Sequence, residues 1–411
     1  MNYKIIDGEK VYSYRWVILA LLFLAVVVVN GCTLIFAGMA PSLLAPAEAG
    51  GYGWTSQQFM LANSCSYLTG FLFCILCGTL ADRKGLKKVM CIGLGITLVG
   101  AVLRCFCTDF PAIFACSVVM GFGLAALNAN SAKMIRLWFP GKMVGVAMGI
   151  YLCGATLGCA VSVPVAGAVG MTPTFIGVAV LSAVTFVAWV LLYKKHPDNE
   201  HPIVEPVVSH LGKVMKSKNL WVACLVIGFV MAAGAVNNGY LVAMLSSAKG
   251  VDPTVATLVS SACNITCSVG GLLFPIICAK THNEKKWLVG LGVVVIVFIA
   301  VYMFALDGMA TAIGVVVCSI LVGGILPLAK SLPAQLPDIT REHMGAAGGL
   351  HSTIQNLFAF VIPSYVVAPL CGTDYMMLNG AAYMILTGLM VISAVFLPKL
   401  MTGGSAPLED E

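Results

Sequence analysis

Lys330 stands in an otherwise apolar stretch, Gly323-Gly-Ile-Leu-Pro327-Leu-Ala-Lys330-Ser. An ammonium there is costly against lipid, and function is the usual reason such a group is kept. Counted back from Thr340, Lys330 falls about 15 Å along a helix, close to the middle of a hydrocarbon layer about 30 Å thick. It can serve as an anion-binding cation, or it can be held by carbonyls freed near Pro327 and Pro333. Asn130 occupies the equivalent place in an earlier apolar stretch, with Lys133 and Arg136 on the same stripe at i+3 and i+6. For those two bases, snorkelling and attraction of an anion are both open. His351 and Gln355 share a helical face at i, i+4, beside Asn356. Asn30 and the pair Asn237-Asn238 place further amides inside apolar stretches, and Tyr67, Tyr151 and Tyr240 could offer hydroxyls while their rings pack. Arg104 lies near the end of its stretch and is expected to anchor at an interface.

The acids are distributed differently. Every Asp and Glu, from Asp7 through Asp109, Asp252, Asp307 and Asp338 to Glu411, lies in a loop, a terminus or a stretch end. Proton-driven uptake and cation export generally need a carboxylate inside the membrane, so both are disfavoured. The 16 Cys sit mostly inside apolar stretches and behave as small hydrophobes, not as a disulfide framework. No Cys or His spacing suits a metal, and no Gly-rich phosphate loop follows a strand signal, so no cofactor is expected. The net charge of +6 resides in the loops and implies no nucleic acid.

The elements that must position these groups are membrane helices. A chain that is 60% hydrophobic and 10% charged, with apolar stretches recurring throughout, is not a soluble domain. Hydropathy places helices near 15-37, 57-80, 88-107, 111-137, 143-167, 173-193, 219-243, 254-279, 287-306, 310-336, 345-368 and 376-398. Lys249 is the one base in the alternate set of loops. The other loop Lys and Arg share the side of the termini, which the positive-inside rule makes cytoplasmic. The hydrophilic stretch Lys194 to Lys218 divides the chain into an N-terminal six-helix bundle at 1-193, a cytoplasmic linker at 194-218 and a C-terminal six-helix bundle at 219-411. Asn63, Gly70, Leu72 and Phe73 recur as Asn264, Gly271, Leu273 and Phe274, a near-constant offset that suggests duplication.

Between the second and third helices runs Gly78-Thr-Leu-Ala-Asp82-Arg83-Lys84-Gly85-Leu-Lys87-Lys88. Gly permits close backbone approach, the acid can anchor to a neighbouring helix end, and the bases hold the loop in the cytoplasm. This spacing resembles the helix 2-3 loop of the major facilitator superfamily. The resemblance covers essentially the whole chain. It implies an all-α membrane protein of twelve transmembrane helices in two pseudo-symmetric six-helix bundles. Helices 1, 4, 7 and 10 would line a central cavity reached by alternating access, and Gly78, Asp82, Arg83, Gly85 and Arg136 would serve gating. The second-half loop, His282-Asn283-Glu284-Lys285, has lost the pattern. Helix 5 carries Gly145, Gly149, Gly154 and Gly158 for close contact, without the Gly-Pro pair of proton-driven exporters. The stretch Trp138-Phe139-Pro140-Gly-Lys142 to Gly149 resembles the helix 4-5 turn of the oxalate/formate antiporter and monocarboxylate-type branch. There His351 falls at the position of a substrate-binding Lys, while the branch's helix 8 Arg has no counterpart. The cyanate and nitrate branch is a further possibility, although its paired membrane Arg residues are missing.

The expectation is therefore a carrier, not an enzyme. It would move a small organic anion resembling a monocarboxylate by exchange, as a monomer and multi-pass protein of the cell (inner) membrane. Substrate contacts would come from Lys330, Asn130, His351, Asn30, Asn237, Asn238, Gln355, Tyr151 and Lys133. Alternatives are a carrier of neutral, moderately apolar compounds and a membrane sensor that transports nothing.

Overall fold

The computed structural model describes residues 3–6, 9–139, 141–196, 214–281, 283–339 and 344–398, with Gly212 and Leu400. Most of the expected linker at 194-218 lies outside the described residues, as do the side chains of Asp82, Arg83 and Arg136. The chain is an all-α membrane protein with twelve helices long and apolar enough to cross a bilayer. These are α1 Arg15–Gly38, α2 Ser56–Lys84, α3 Leu86–Arg104, α4 Phe110–Trp138, α5 Gly141–Val169 and α6 Met171–Leu192. They continue with α7 Lys218–Ala243, α8 Pro253–Thr281, α9 Glu284–Phe304, α10 Gly308–Ser331, α11 Met344–Val361 and α12 Ala382–Val395. Wide turns at Ile362–Val367 and Met376–Ala381 extend the last two towards each other.

An unforeseen hairpin precedes them. Tyr3–Ile6 (β1) pairs antiparallel with Glu9–Tyr12 (β2), Tyr3 opposite Tyr12 and Ile6 opposite Glu9. Its sequence signal is the Asp7-Gly8 pair between two short runs of strand formers.

Local chemistry sets the helix ends. Thr55 and Gln58 form a reciprocal capping box that starts α2. Gly85 ends it with φ of 90°, in a region where a Cβ would be strained. In α10 the expected end near 336 is wrong. Pro333, which lacks an N–H and disfavours helix in the residue before it, follows a last regular turn at Ser331.

Packing repeats with a period of six helices. α1 packs on α5 and α6, α2 on α4, and α3 on α4 and α6; in the second half α7 packs on α11 and α12, α8 on α10, and α9 on α10 and α12. The α1–α5 contact needs glycine: a Cβ on Gly158 would stand 2.1 Å from the Val27 carbonyl oxygen. Between the halves, α2 meets α11, α5 meets α8 and α1 meets α7.

Candidate functional site

Three hydrogen bonds that cross between the halves lie at the end away from the termini. Ser56 on α2 donates to the Gly372 carbonyl beyond α11. The Tyr240 hydroxyl of α7 donates to the Ser56 carbonyl at 2.8 Å, and the Ser64 and Ser364 hydroxyls meet at 2.9 Å. Gly239 packs so tightly on α2 that a Cβ there would lie 2.7 Å from Met60 Cε. The halves are thus closed at the far end, and the groups able to meet a solute lie nearer the termini.

Lys330 is one of them. It occupies the last turn of α10, about 33 Å of helix from Gly308, and so lies well beyond the midplane expected from its sequence position. Its side chain is exposed. It points roughly 140° away from the exposed Val317, at 3.6 residues per turn. No hydrogen bond or acid meets its ammonium among the described residues, so freed carbonyls do not hold it. The nearest titratable groups are His351 on α11 and Cys74 on α2.

His351 is 3% exposed, bonds to the backbone of Ala223 on α7 and keeps Nε2 without a partner. In the first half, Tyr151 of α5 is buried beside Ser131 of α4. Lys330 thus lies within electrostatic reach of His351 in its own half and of Cys74 in the other. An ammonium beside an imidazole can bind a carboxylate through charge and a directed donor.

The other expected residues are dispersed. Asn130 is 0% exposed and wedged between helices, its Nδ2 donating to the Ala126 carbonyl at 3.0 Å and the Cys77 carbonyl at 3.4 Å. One register step separates it from Ser131, which is buried as well. Lys133 Nζ donates to the Gly78 carbonyl at 3.4 Å, tying α4 to the end of α2. Asn30 bonds within its own helix to Val26. Asn237 accepts from Asn379 Nδ2 at both its carbonyl and its amide oxygen. Asn238 is half-buried beside this pair, and Gln355 and Asn356 are buried on α11. Arg104 contradicts the interfacial expectation: it is sealed inside the first half.

Ser131, Cys74, Ser64, Ser364 and Asn379 were not singled out from the sequence. A serine in a membrane helix carries little signal, and the Ser64–Ser364 pair spans 300 positions.

A family model for the Major Facilitator Superfamily matches residues 21–363. The chain belongs to this superfamily. Membership, with twelve candidate spans among the described residues, makes it a multi-pass membrane protein of a transporter superfamily. A probable sulfoacetate transporter of Cupriavidus necator is 25% identical over 402 residues, covering 88% of this chain and 90% of that protein. A probable L-galactonate transporter of Escherichia coli is 30% identical over 142 residues, 34% of this chain and only 31% of that protein. A hexuronate transporter of Bacillus subtilis is 25% identical over 43% of each chain. Among solved structures, the nucleoside transporter NupG superposes with a TM-score of 0.74 at 15% identity, over 94% of this chain and 99% of that one. A D-xylose-proton symporter gives 0.71 at 14% identity, over 96% and 100%. Such identities establish the superfamily fold alone.

Proposed function

We propose that this superfamily member carries a small organic anion across the cell (inner) membrane by exchange, with both termini cytoplasmic. The observation behind this reading is Lys330, an exposed ammonium in the last turn of α10 with no hydrogen-bond partner among the described residues and with the His351 imidazole within reach of its charge. Three relatives are named for galactonate, hexuronate and sulfoacetate, each a carboxylate. With cytoplasmic termini the present state is inward-facing. The halves, proposed to divide at the 194-218 linker, would rock about this site. Gly78, Asp82, Arg83, Gly85 and Arg136 would steady the opposite state.

Exchange follows from the want of a membrane carboxylate: nothing but His351 offers itself as a proton carrier. Counterflow in proteoliposomes, run without a pH gradient, tests both parts with galactonate, glucuronate and sulfoacetate as probes and a neutral hexose as control. At least one anion should exchange. Lys330→Gln should abolish its binding and Lys330→Arg should retain part, because charge matters more than shape here. Unchanged affinity in a folded Lys330→Gln protein, or exchange of the hexose alone, would overturn the anion reading. Strict dependence on a proton gradient, lost in His351→Gln, would overturn exchange.

A further inference from the structure

Arg104 closes α3 inside the first six helices, 1% exposed, far from Lys330. Its guanidinium carbon lies 4.4 Å from the ring centre of Phe175 and 5.8 Å from that of Phe36. Nη1 donates to Ser117 Oγ at 3.3 Å, whereas Nε and Nη2 have no partner. The titratable groups near enough to act on its charge are the thiols of Cys32, Cys65, Cys105 and Cys116, with no carboxylate among them. A sealed guanidinium without an opposing charge is strongly unfavourable. Aromatic faces offset part of that cost and leave the three N–H groups of Nε and Nη2 unused.

A cavity of ≈ 10 Å³ lies against these donors, lined by Arg104, Ser66, Ser117, Thr97, Cys32 and Cys65. Such a volume is about that of one water, and a halide, larger in radius, would need the Val29, Phe36 and Met120 side chains that complete the lining to give slightly. Water would satisfy a donor yet leave the charge uncompensated; a halide would do both. Thr97 is committed, accepting from the Gly123 N–H and donating to backbone carbonyls. Ser117 accepts from Arg104, and its O–H, like that of Ser66, lies beside the Cys65 thiol and can turn from that weak acceptor to the ion.

We propose that this cavity binds a single halide, chloride in the cell, held by Arg104 and the Ser117 and Ser66 hydroxyls. The ion neutralises the first bundle from within and takes no part in substrate exchange.

Thermal unfolding of the purified full-length protein tests this, with chloride or bromide replacing sulfate, an oxyanion too large for the cavity, at constant ionic strength. The wild-type midpoint should rise saturably with either halide and stay flat in sulfate. Arg104→Gln should abolish the dependence. Ser117→Ala, which disturbs packing less and decides the matter if Arg104→Gln does not fold, should raise the half-saturating halide about fivefold. Identical wild-type midpoints in chloride and sulfate, or a Ser117→Ala protein with the wild-type halide curve, would sink the proposal.

Discussion

Asn130 and Tyr151 show how residue type and burial divide the work near Lys330. Both are buried, but Asn130 spends its amide on the backbone of α2 and α4, while the Tyr151 hydroxyl lies beside Ser131 with Cys74 near. Their variants should separate two quantities. Asn130→Ala should lower thermal stability and leave anion affinity within about twofold, since a buried helix-to-helix bond contributes about 0.5–1.5 kcal/mol. Tyr151→Phe keeps the ring and removes one O–H, so affinity should fall by about two- to tenfold with stability little changed. Titration calorimetry and unfolding on both proteins check the contrast. The reverse assignment would place the site on the α4 stripe of Asn130.

At the scale of elements, the α1–α5 pair depends on an absent side chain. Gly158 lets the Val27 carbonyl approach to where a Cβ would be 2.1 Å away, and Gly31 faces Gly158 in return. Small residues are the usual means by which membrane helices pack, because lipid supplies no hydrophobic drive between them. Gly158→Val should therefore push α1 from α5 and cost about 1–3 kcal/mol or more, the range for overpacking. A lowered unfolding midpoint would show it; an unchanged one would mean that the backbones are not this close. The internal repeat is informative at this scale too. Gly70 and Gly271 share a repeat position, yet Gly70 faces Asn356 of α11 across the interface and Gly271 faces Gly323 of α10 within its own half. Duplication preserved the residue and not its neighbour.

For the whole molecule, alternating access requires each end to open in turn, so fastening either end should stop exchange. At the closed end Ser64 and Ser364 meet at 2.9 Å. Cysteines at both positions should crosslink under mild oxidation, abolish counterflow and recover it on reduction. At the other end, Asp82→Asn should slow counterflow while membrane insertion stays normal. Flux through a fully crosslinked protein would rule out rocking about this contact, and wild-type flux in Asp82→Asn would remove Asp82 from the gate.

How far the sequence reached depended on whether a property was local or relational. Twelve membrane helices follow from hydropathy, because each span must satisfy its own backbone within lipid. The superfamily was legible because one loop pattern recurs at fixed spacing. Lys330 was legible as an ammonium among apolar neighbours, though not its depth: that turned on Pro333 ending α10 at Ser331, well short of 336. Tertiary structure alone decided who faces whom. It turned Asn130 into helix packing, sealed Arg104 where an interface was expected, and brought Ser64 to Ser364. Each of these depends on the rotation and tilt of helices against one another. One register step is about 100° on a helix, so a hydropathy pattern that sets where a helix runs leaves open which of its side chains meets a partner hundreds of residues away.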